Sequence, residues 1–191
     1  MKVLVAYATR HGATGGIAEC VGEVLTRRGI EATVKPVEQA GSIDAYDAVV
    51  IGGAAYTFHW MKEATAFVRK NRALLKSRPV WLFTSGPTGS EPDLGKRSEA
   101  LEKAIPKEFA ELTAEIHPRG QQAFYGRYDP DAAPVGLAEG LFAKMTSRWP
   151  SIKAGVPAGD FRDWEAIEAW ADTIADDLVG SAAAVPAVEA G

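Results

Sequence analysis

Short runs of consecutive apolar residues alternate along this chain with longer stretches in which apolar positions recur every three or four residues. Val3-Leu4-Val5-Ala6-Tyr7, ended by Thr9 and Gly12, has the pattern of a strand buried on both faces. From Thr14 to about Arg28, Ile17, Val21, Val24 and Leu25 fall at helical spacing, and Arg27-Arg28 followed by Gly29 signals the helix end. Glu31 to Val37 alternates polar with β-branched or small apolar residues and predicts a second strand, and Tyr46 to Gly53 is a third, buried run. Lys62 to about Leu75 predicts a helix through Ala66, Phe67 and Leu74, and Pro79 to Ser85 a fourth strand. Gly86 to Pro92 is rich in breakers, and the helical stretch that follows, about Lys96 to Leu112, should be interrupted at Pro106. A fifth strand is expected at Gln122–Gly126. Asp160 to Val179 predicts a closing helix with Phe161, Trp164, Ile167, Trp170 and Ile174 on one face and Asp160 or Asp163 as its cap.

Strands separated by helices require right-handed crossovers, which place helices on both faces of a parallel sheet. The expected class is therefore α/β, a doubly wound layer. In such sheets ligands lie beyond the carboxyl ends of the strands, where strand order reverses, so the segments after strands one, three and four matter most. A length of 191 residues suits one domain, expected over residues 1–179. Residues 127–159 look like an insertion, with a short amphipathic stretch from Leu137 to Met145 between Pro- and Gly-rich pieces. Residues 180–191 lack periodicity and large apolar groups and are expected to form a flexible tail.

The net charge of −4 disfavours a nucleic-acid partner, whose affinity would come from cations neutralising phosphates, and leaves a small molecule as the better expectation. Cys20 is the single cysteine, so no internal disulfide forms; it reads as a small apolar residue inside the first helix, in keeping with a reducing cytoplasm. No apolar run approaches the ~18 residues of a membrane span, so no stable membrane insertion is expected. His11 and His117 have no spaced partner set for a metal, and no metal site is expected.

Chemistry concentrates after the first strand, where Thr9-Arg10-His11-Gly12-Ala13-Thr14-Gly15-Gly16 runs straight into a helix. Hydroxyls at Thr9 and Thr14 and the free amides of a helix start can converge on one phosphate, with Gly12 allowing the tight turn. A plain strand-to-helix turn capped by Thr14 is the alternative. Other nucleotide loops fit worse. GxxxxGK[ST] is absent, and the glycines do not form GxGxxG, although Glu38 could imitate the ribose-binding acid of a dinucleotide fold. A receiver domain would need acids where Gly52-Gly53 and Tyr7-Ala8-Thr9 stand.

The segments ATRHGAT and YDAVVIGGAAYTFHWMKEATAFV resemble the flavodoxin-domain proteins and are most similar to their menaquinone-dependent protoporphyrinogen dehydrogenase branch. Thr9 to Thr14, Val50 to His59, Phe124 to Arg148 and Asp163-Trp164 carry the resemblance. It implies a flavodoxin-like five-stranded parallel sheet of order 2-1-3-4-5, with FMN as cofactor. Thr9, Arg10, His11, Gly12, Ala13 and Thr14 would contact the phosphate, and Ala54, Ala55, Tyr56, Thr57 and Phe58 would form a second flavin loop. Ser85, Gly86, Pro87, Thr88 and Gly89 would form the third, with backbone amides against the flavin edge. Tyr56 is the first choice to stack on the ring, and His59 could donate to reduced flavin or substrate.

Two kinds of function fit: an electron carrier between proteins, or a small flavin oxidoreductase taking an organic substrate, with quinone and porphyrinogen as the pair the branch implies. Arg127, Lys144, Arg148 and Lys153, with Tyr125, Tyr128, Phe142 and Trp149, could meet such a substrate or a membrane surface. Asp129, Asp131, Ala132, Ala133 and Pro134 stand where the branch has a richer basic stretch, which weakens both porphyrin specificity and membrane attachment. A cytoplasmic location is expected, with peripheral membrane contact as the alternative. A flavin-free interaction module and a deazaflavin in place of FMN remain open, and no catalytic residue is assigned.

Overall fold

The computed structural model describes residues 1–88, 94–129 and 158–183. Gly89, the stretch Leu137–Met145 with most of the expected insertion, and residues 184–191 lie outside them. In chain order the described elements are β1 (Lys2–Ala8), α1 (Ala13–Arg27), β2 (Glu31–Pro36), β3 (Ala48–Tyr56), β4 (His59–Trp60), α2 (Lys62–Leu75) and β5 (Val80–Ser85). They continue as α3 (Leu94–Lys103), α4 (Glu108–Ile116), β6 (Gly120–Phe124), β7 (Arg127–Tyr128), β8 (Gly159–Asp160) and a last helix, α5 (Trp164–Ala183).

Five strands pair in parallel in the order β2-β1-β3-β5-β6, which is the expected 2-1-3-4-5 once the two-residue β4, antiparallel to the end of β3, is set aside. Ala8, Gly53 and Thr84 share one rung across β1, β3 and β5, so the segments after these strands emerge side by side. Alternate residues of β1 feed two cores. Val3 and Val5 pack with Ile17, Val21 and Leu25 of α1 and Ile167 and Ile174 of α5. Leu4 packs on the opposite face with Phe67 and Leu75 of α2 and Phe109 and Leu112 of α4. Helices thus cover both faces, as a parallel sheet without a wet side requires.

Most boundaries differ from the sequence reading by a few residues, each for a visible reason. α1 starts at Ala13 behind the left-handed Gly12 (φ 81°) with no side-chain cap, so Thr14 is not the N-cap. It ends as expected at Gly29, whose N–H donates to the Thr26 carbonyl while the Ile30 N–H donates to that of Leu25, both at 3.0 Å. β3 continues through Ala54, which pairs with Ser85 of β5, and through Ala55 and Tyr56, onto which β4 folds back. β6 lies two residues earlier than expected and stops before Tyr125. The break between α3 and α4 falls at Pro106, as the missing N–H of proline demands.

Asp160 does not cap the last helix; it belongs to β8, paired with β7. Asp163 caps it, its Oδ1 accepting the Ala166 N–H at 3.1 Å, and the helix runs four residues beyond Val179. Trp164, expected on the buried face, is 41% exposed and lies under the Arg162 guanidinium, 4.3 Å from the ring centre. Among the described residues no helix is long and apolar enough to cross a membrane.

Candidate functional site

Strand order reverses between β1 and β3, and the turn from Thr9 to Thr14 sits at that switch point. Gly12 has open space around it, but its positive φ is one an L side chain resists. Its N–H donates to Thr9 Oγ1 at 3.0 Å, so the threonine closes the turn as an acceptor and keeps its own O–H as a donor. Thr14 stands just inside α1. It is fully buried, and its hydroxyl pairs with that of Ser85 at 2.8 Å, stitching the first loop to the end of β5.

The first helical hydrogen bond of α1 runs from the Gly16 N–H to the Gly12 carbonyl at 3.1 Å. The amides of Ala13, Thr14 and Gly15 therefore precede any helical acceptor and point out of the helix start. Packing leaves little room for a side chain at Gly15 and Gly16. A Cβ on Gly15 would meet the Tyr7 ring at 3.1 Å, and one on Gly16 would meet Arg162 Nη1 at 2.5 Å. That arginine donates to the Ala13 carbonyl at 3.3 Å and is held by Asp160, with Nε on Oδ1 at 2.8 Å. Hydrogen bonds from Arg162, working against burial, keep the Asp160 carboxyl below the usual carboxylate range.

The second loop is a tight β-hairpin, not an irregular loop. Tyr56 pairs with His59 and Ala55 with Trp60 across a two-residue turn, Thr57-Phe58, with both φ values positive (49° and 65°). Such turns ordinarily carry Asn-Gly, because a left-handed residue with a side chain costs about 1–2 kcal/mol. Here α4 holds the turn from outside. The Lys107 N–H donates to the Phe58 carbonyl at 3.0 Å, and the Trp60 N–H donates to Glu108 Oε2 at 3.0 Å. His59 Nδ1 lies 2.7 Å from Glu108 Oε1, so the imidazole read as a flavin donor is engaged by a carboxylate through that nitrogen.

Burial is the largest single effect on the Glu108 carboxyl and raises it. The Trp60 N–H, His59 and its own backbone N–H outweigh that and leave it below its ordinary value. Trp60 is core: its indole N–H donates to the Gly53 carbonyl at 3.1 Å, and its ring meets Phe109 edge-on at 5.0 Å between centroids. At the hairpin tip Phe58 is 58% exposed and Tyr56 36%, with the Arg10 guanidinium 4.7 Å from the Tyr56 ring centre. Loops one and two thus touch.

The third loop offers fewer amides than expected. The Gly86 N–H donates to the Phe124 carbonyl at 3.2 Å, prolonging the β5–β6 pairing, and Pro87 has no N–H to give. The Pro87 carbonyl accepts from Gly126 at 2.9 Å, which leaves the Thr88 amide as the free candidate of this loop among the described residues. A Cβ on Gly86 would lie 3.4 Å from that of Ala55, so this loop abuts the hairpin.

Residues 4–131 match the Flavodoxin domain family. The chain belongs to the flavodoxin-domain family. It is also 30% identical over 95 residues to the protoporphyrinogen IX dehydrogenase [quinone] of Escherichia coli (strain K12), a match covering 49% of this chain and 52% of the relative. The chain thus spans about half the length of the curated relatives it matches. Its fold is similar to that of the Streptococcus pneumonia TIGR4 flavodoxin (TM-score 0.57, 13% identity, covering 95% of this chain and 99% of that one). It also resembles rubredoxin oxygen:oxidoreductase from Desulfovibrio gigas (TM-score 0.59, 14% identity, 96% of this chain but 37% of that one).

The outward amides at Ala13–Gly15, the spare hydroxyl hydrogen of Thr9 and the half-exposed Tyr56 gather at the switch point, where the Thr14–Ser85 bond ties the first loop to the end of β5. Glu108, Arg162 and Arg97 escaped the sequence reading. Arg97 ion-pairs with Asp163 at 3.4 Å and covers the Tyr125 ring at 5.3 Å, tying α3 to the segment after β6. No local motif marks Glu108 or Arg97, which act on residues at least 28 positions away, and the reach of Arg162 to Ala13, 149 positions away, is equally invisible beside its local pair with Asp160. Cys20 is half-buried, its thiol pushed up by burial and then by Glu168 and Glu23, in keeping with an unreactive residue. His117 is exposed in the left-handed cap of α4, and among the described residues no group of three or more His, Cys, Asp or Glu is placed to hold a metal.

Proposed function

We propose that this flavodoxin-domain protein binds FMN and passes electrons to a redox partner or to a small organic acceptor. The observation that carries this reading is the meeting of an uncapped helix start behind Gly12 with the half-exposed Tyr56 ring, bridged by Arg10. The phosphate would lie on the amides of Ala13–Gly15 and the Thr9 hydroxyl, where the helix dipole favours its charge. Arg10 and His11 line the same turn, and Arg10 adds positive charge between phosphate and ring. Tyr56 and Phe58 would cover one face of the flavin and keep water from it, with Ala54, Ala55 and Thr57 shaping that wall. Ser85 through Gly89 would border the edge, with Thr88 as the amide donor. Bound FMN supplies the redox chemistry; the chain supplies binding, orientation and electrostatics.

The test is a fluorescence titration of cofactor-free protein with FMN and, in parallel, with riboflavin, which lacks the phosphate. FMN should bind about a hundredfold more tightly, as loss of several charge-assisted hydrogen bonds implies. Equal affinities would contradict the phosphate assignment. A deazaflavin titrated alongside addresses the larger cofactor.

A second reading, oxidation of a porphyrinogen with a quinone acceptor, rests on the similarity to the Escherichia coli enzyme over half its length. Because Asp129 and its neighbours replace the basic stretch of that branch, protoporphyrinogen turnover with menaquinone should be slow or absent. Robust turnover would favour this second reading over the carrier.

A further inference from the structure

We propose that Glu108 is a positioning residue for the flavin: from α4 it holds the Tyr56–Phe58 hairpin in the one conformation that presents Tyr56 beside Arg10. The inference rests on the FMN reading above. Both oxygens of this carboxylate act outside its own helix, Oε2 accepting the Trp60 N–H at 3.0 Å and Oε1 meeting His59 Nδ1 at 2.7 Å. One side chain therefore grips two successive residues of β4, and His59 is the residue paired with Tyr56 across the hairpin.

The grip is needed because of what fills the turn. Thr57 and Phe58 are both left-handed, Thr57 is β-branched, and neither is a residue that a turn of this hand selects. Released from α4, the turn gains by returning to negative φ. That would swing Tyr56 away from Arg10 and open the wall of the site. The Lys107 N–H on the Phe58 carbonyl adds a third tie from the same helix end, and the Trp60 indole on Gly53 anchors the base of the hairpin. A first-turn acid that served only the dipole of α4 would have no reason to reach across to β4 with both oxygens.

The experiment titrates cofactor-free wild-type protein, Glu108→Ala, Glu108→Gln and the control Glu111→Gln with FMN, reading the dissociation constant and the flavin fluorescence remaining at saturation. Urea unfolding of each cofactor-free protein is followed in parallel. Glu111 lies on the same helix and, among the described residues, pairs with the exposed Arg69 at 2.8 Å, so its variant should match wild type. Glu108→Ala should weaken FMN about tenfold or more, the scale of lost hydrogen bonds to a charged group, and should leave the bound flavin incompletely quenched. Glu108→Gln keeps an acceptor for Trp60 and should fall between the two. Wild-type affinity in either Glu108 variant would overturn the proposal, as would weaker binding with full quenching at saturation, because that pattern belongs to a residue that only stabilises the fold. Should Glu108→Ala fail to fold, Glu108→Gln decides by the same criteria. If wild-type protein itself ignores FMN, the cofactor reading falls and this inference with it; if only the Glu108 variants behave as wild type, the cofactor reading stands.

Discussion

Around the turn after β1, one left-handed glycine and one buried hydroxyl pair divide the work that the sequence assigns jointly to Thr9 and Thr14. Thr9 stays on the turn and keeps a donor, whereas the buried Thr14 hydroxyl shares a hydrogen bond with that of Ser85. Thr9→Val should therefore weaken FMN binding at a cost in urea stability of about 0.5–1.5 kcal/mol or less, because it also removes the acceptor of the exposed Gly12 N–H. Thr14→Val strands the buried Ser85 hydroxyl and should cost about 1–3 kcal/mol of stability. A reversed pattern in paired titration and unfolding curves would show that the phosphate reaches Thr14 instead. Gly12→Ala, with a Cβ forced into a φ of 81°, should lower stability by about 1–2 kcal/mol although no atom stands in its way. The residue types were legible here because threonine and glycine next to a helix start have few other uses. The Thr14–Ser85 bond was not, since its partners stand 71 positions apart.

The hairpin of β3 and β4 shows where local pattern stops being informative. Tyr56-Thr57-Phe58-His59 carries no Asn-Gly or Asp-Gly signal, so it reads as a loop, and the contacts that tie it down as a hairpin come from Lys107 and Glu108, about fifty residues on. The five parallel strands and the five helices were legible because burial on both faces writes unbroken apolar runs and helix faces write periodic ones. The hairpin makes two predictions at this scale. Gly53→Ala would place a Cβ 2.5 Å from the Trp60 indole nitrogen and should destabilise by about 1–3 kcal/mol, measured by thermal unfolding.

The second concerns acid. Glu108 and Asp160 both titrate below their ordinary values in the folded protein, so the unfolded chain binds their protons first as pH falls. Their contribution is complete above the unfolded carboxylate values near ~4 and is lost as pH drops through the lower folded ones. Unfolding free energy should therefore fall below about pH 4.5 more steeply in wild type than in Glu108→Gln. Parallel acid limbs would mean that the hairpin clamp contributes nothing through its charge.

Across the whole molecule, the sheet register decides what the sequence could only anticipate. Ala8, Gly53 and Thr84 stand on one rung, so three loops from distant parts of the chain end up adjoining, with Arg10 against Tyr56 and Gly86 against Ala55. α1 and α5 close the opposite face through the shared apolar core and through Arg27–Glu168 and Arg28–Asp172 at 3.3 and 2.8 Å, exposed pairs that steer packing more than they stabilise it. Family membership and strand order agree with the site lying at the switch point, and the cofactor is the claim on which every role rests. Mass spectrometry of the small molecule released from purified protein tests it most directly. The account predicts the mass of FMN at close to one equivalent per chain; release of a deazaflavin, or protein that neither carries nor takes up a flavin, would contradict it.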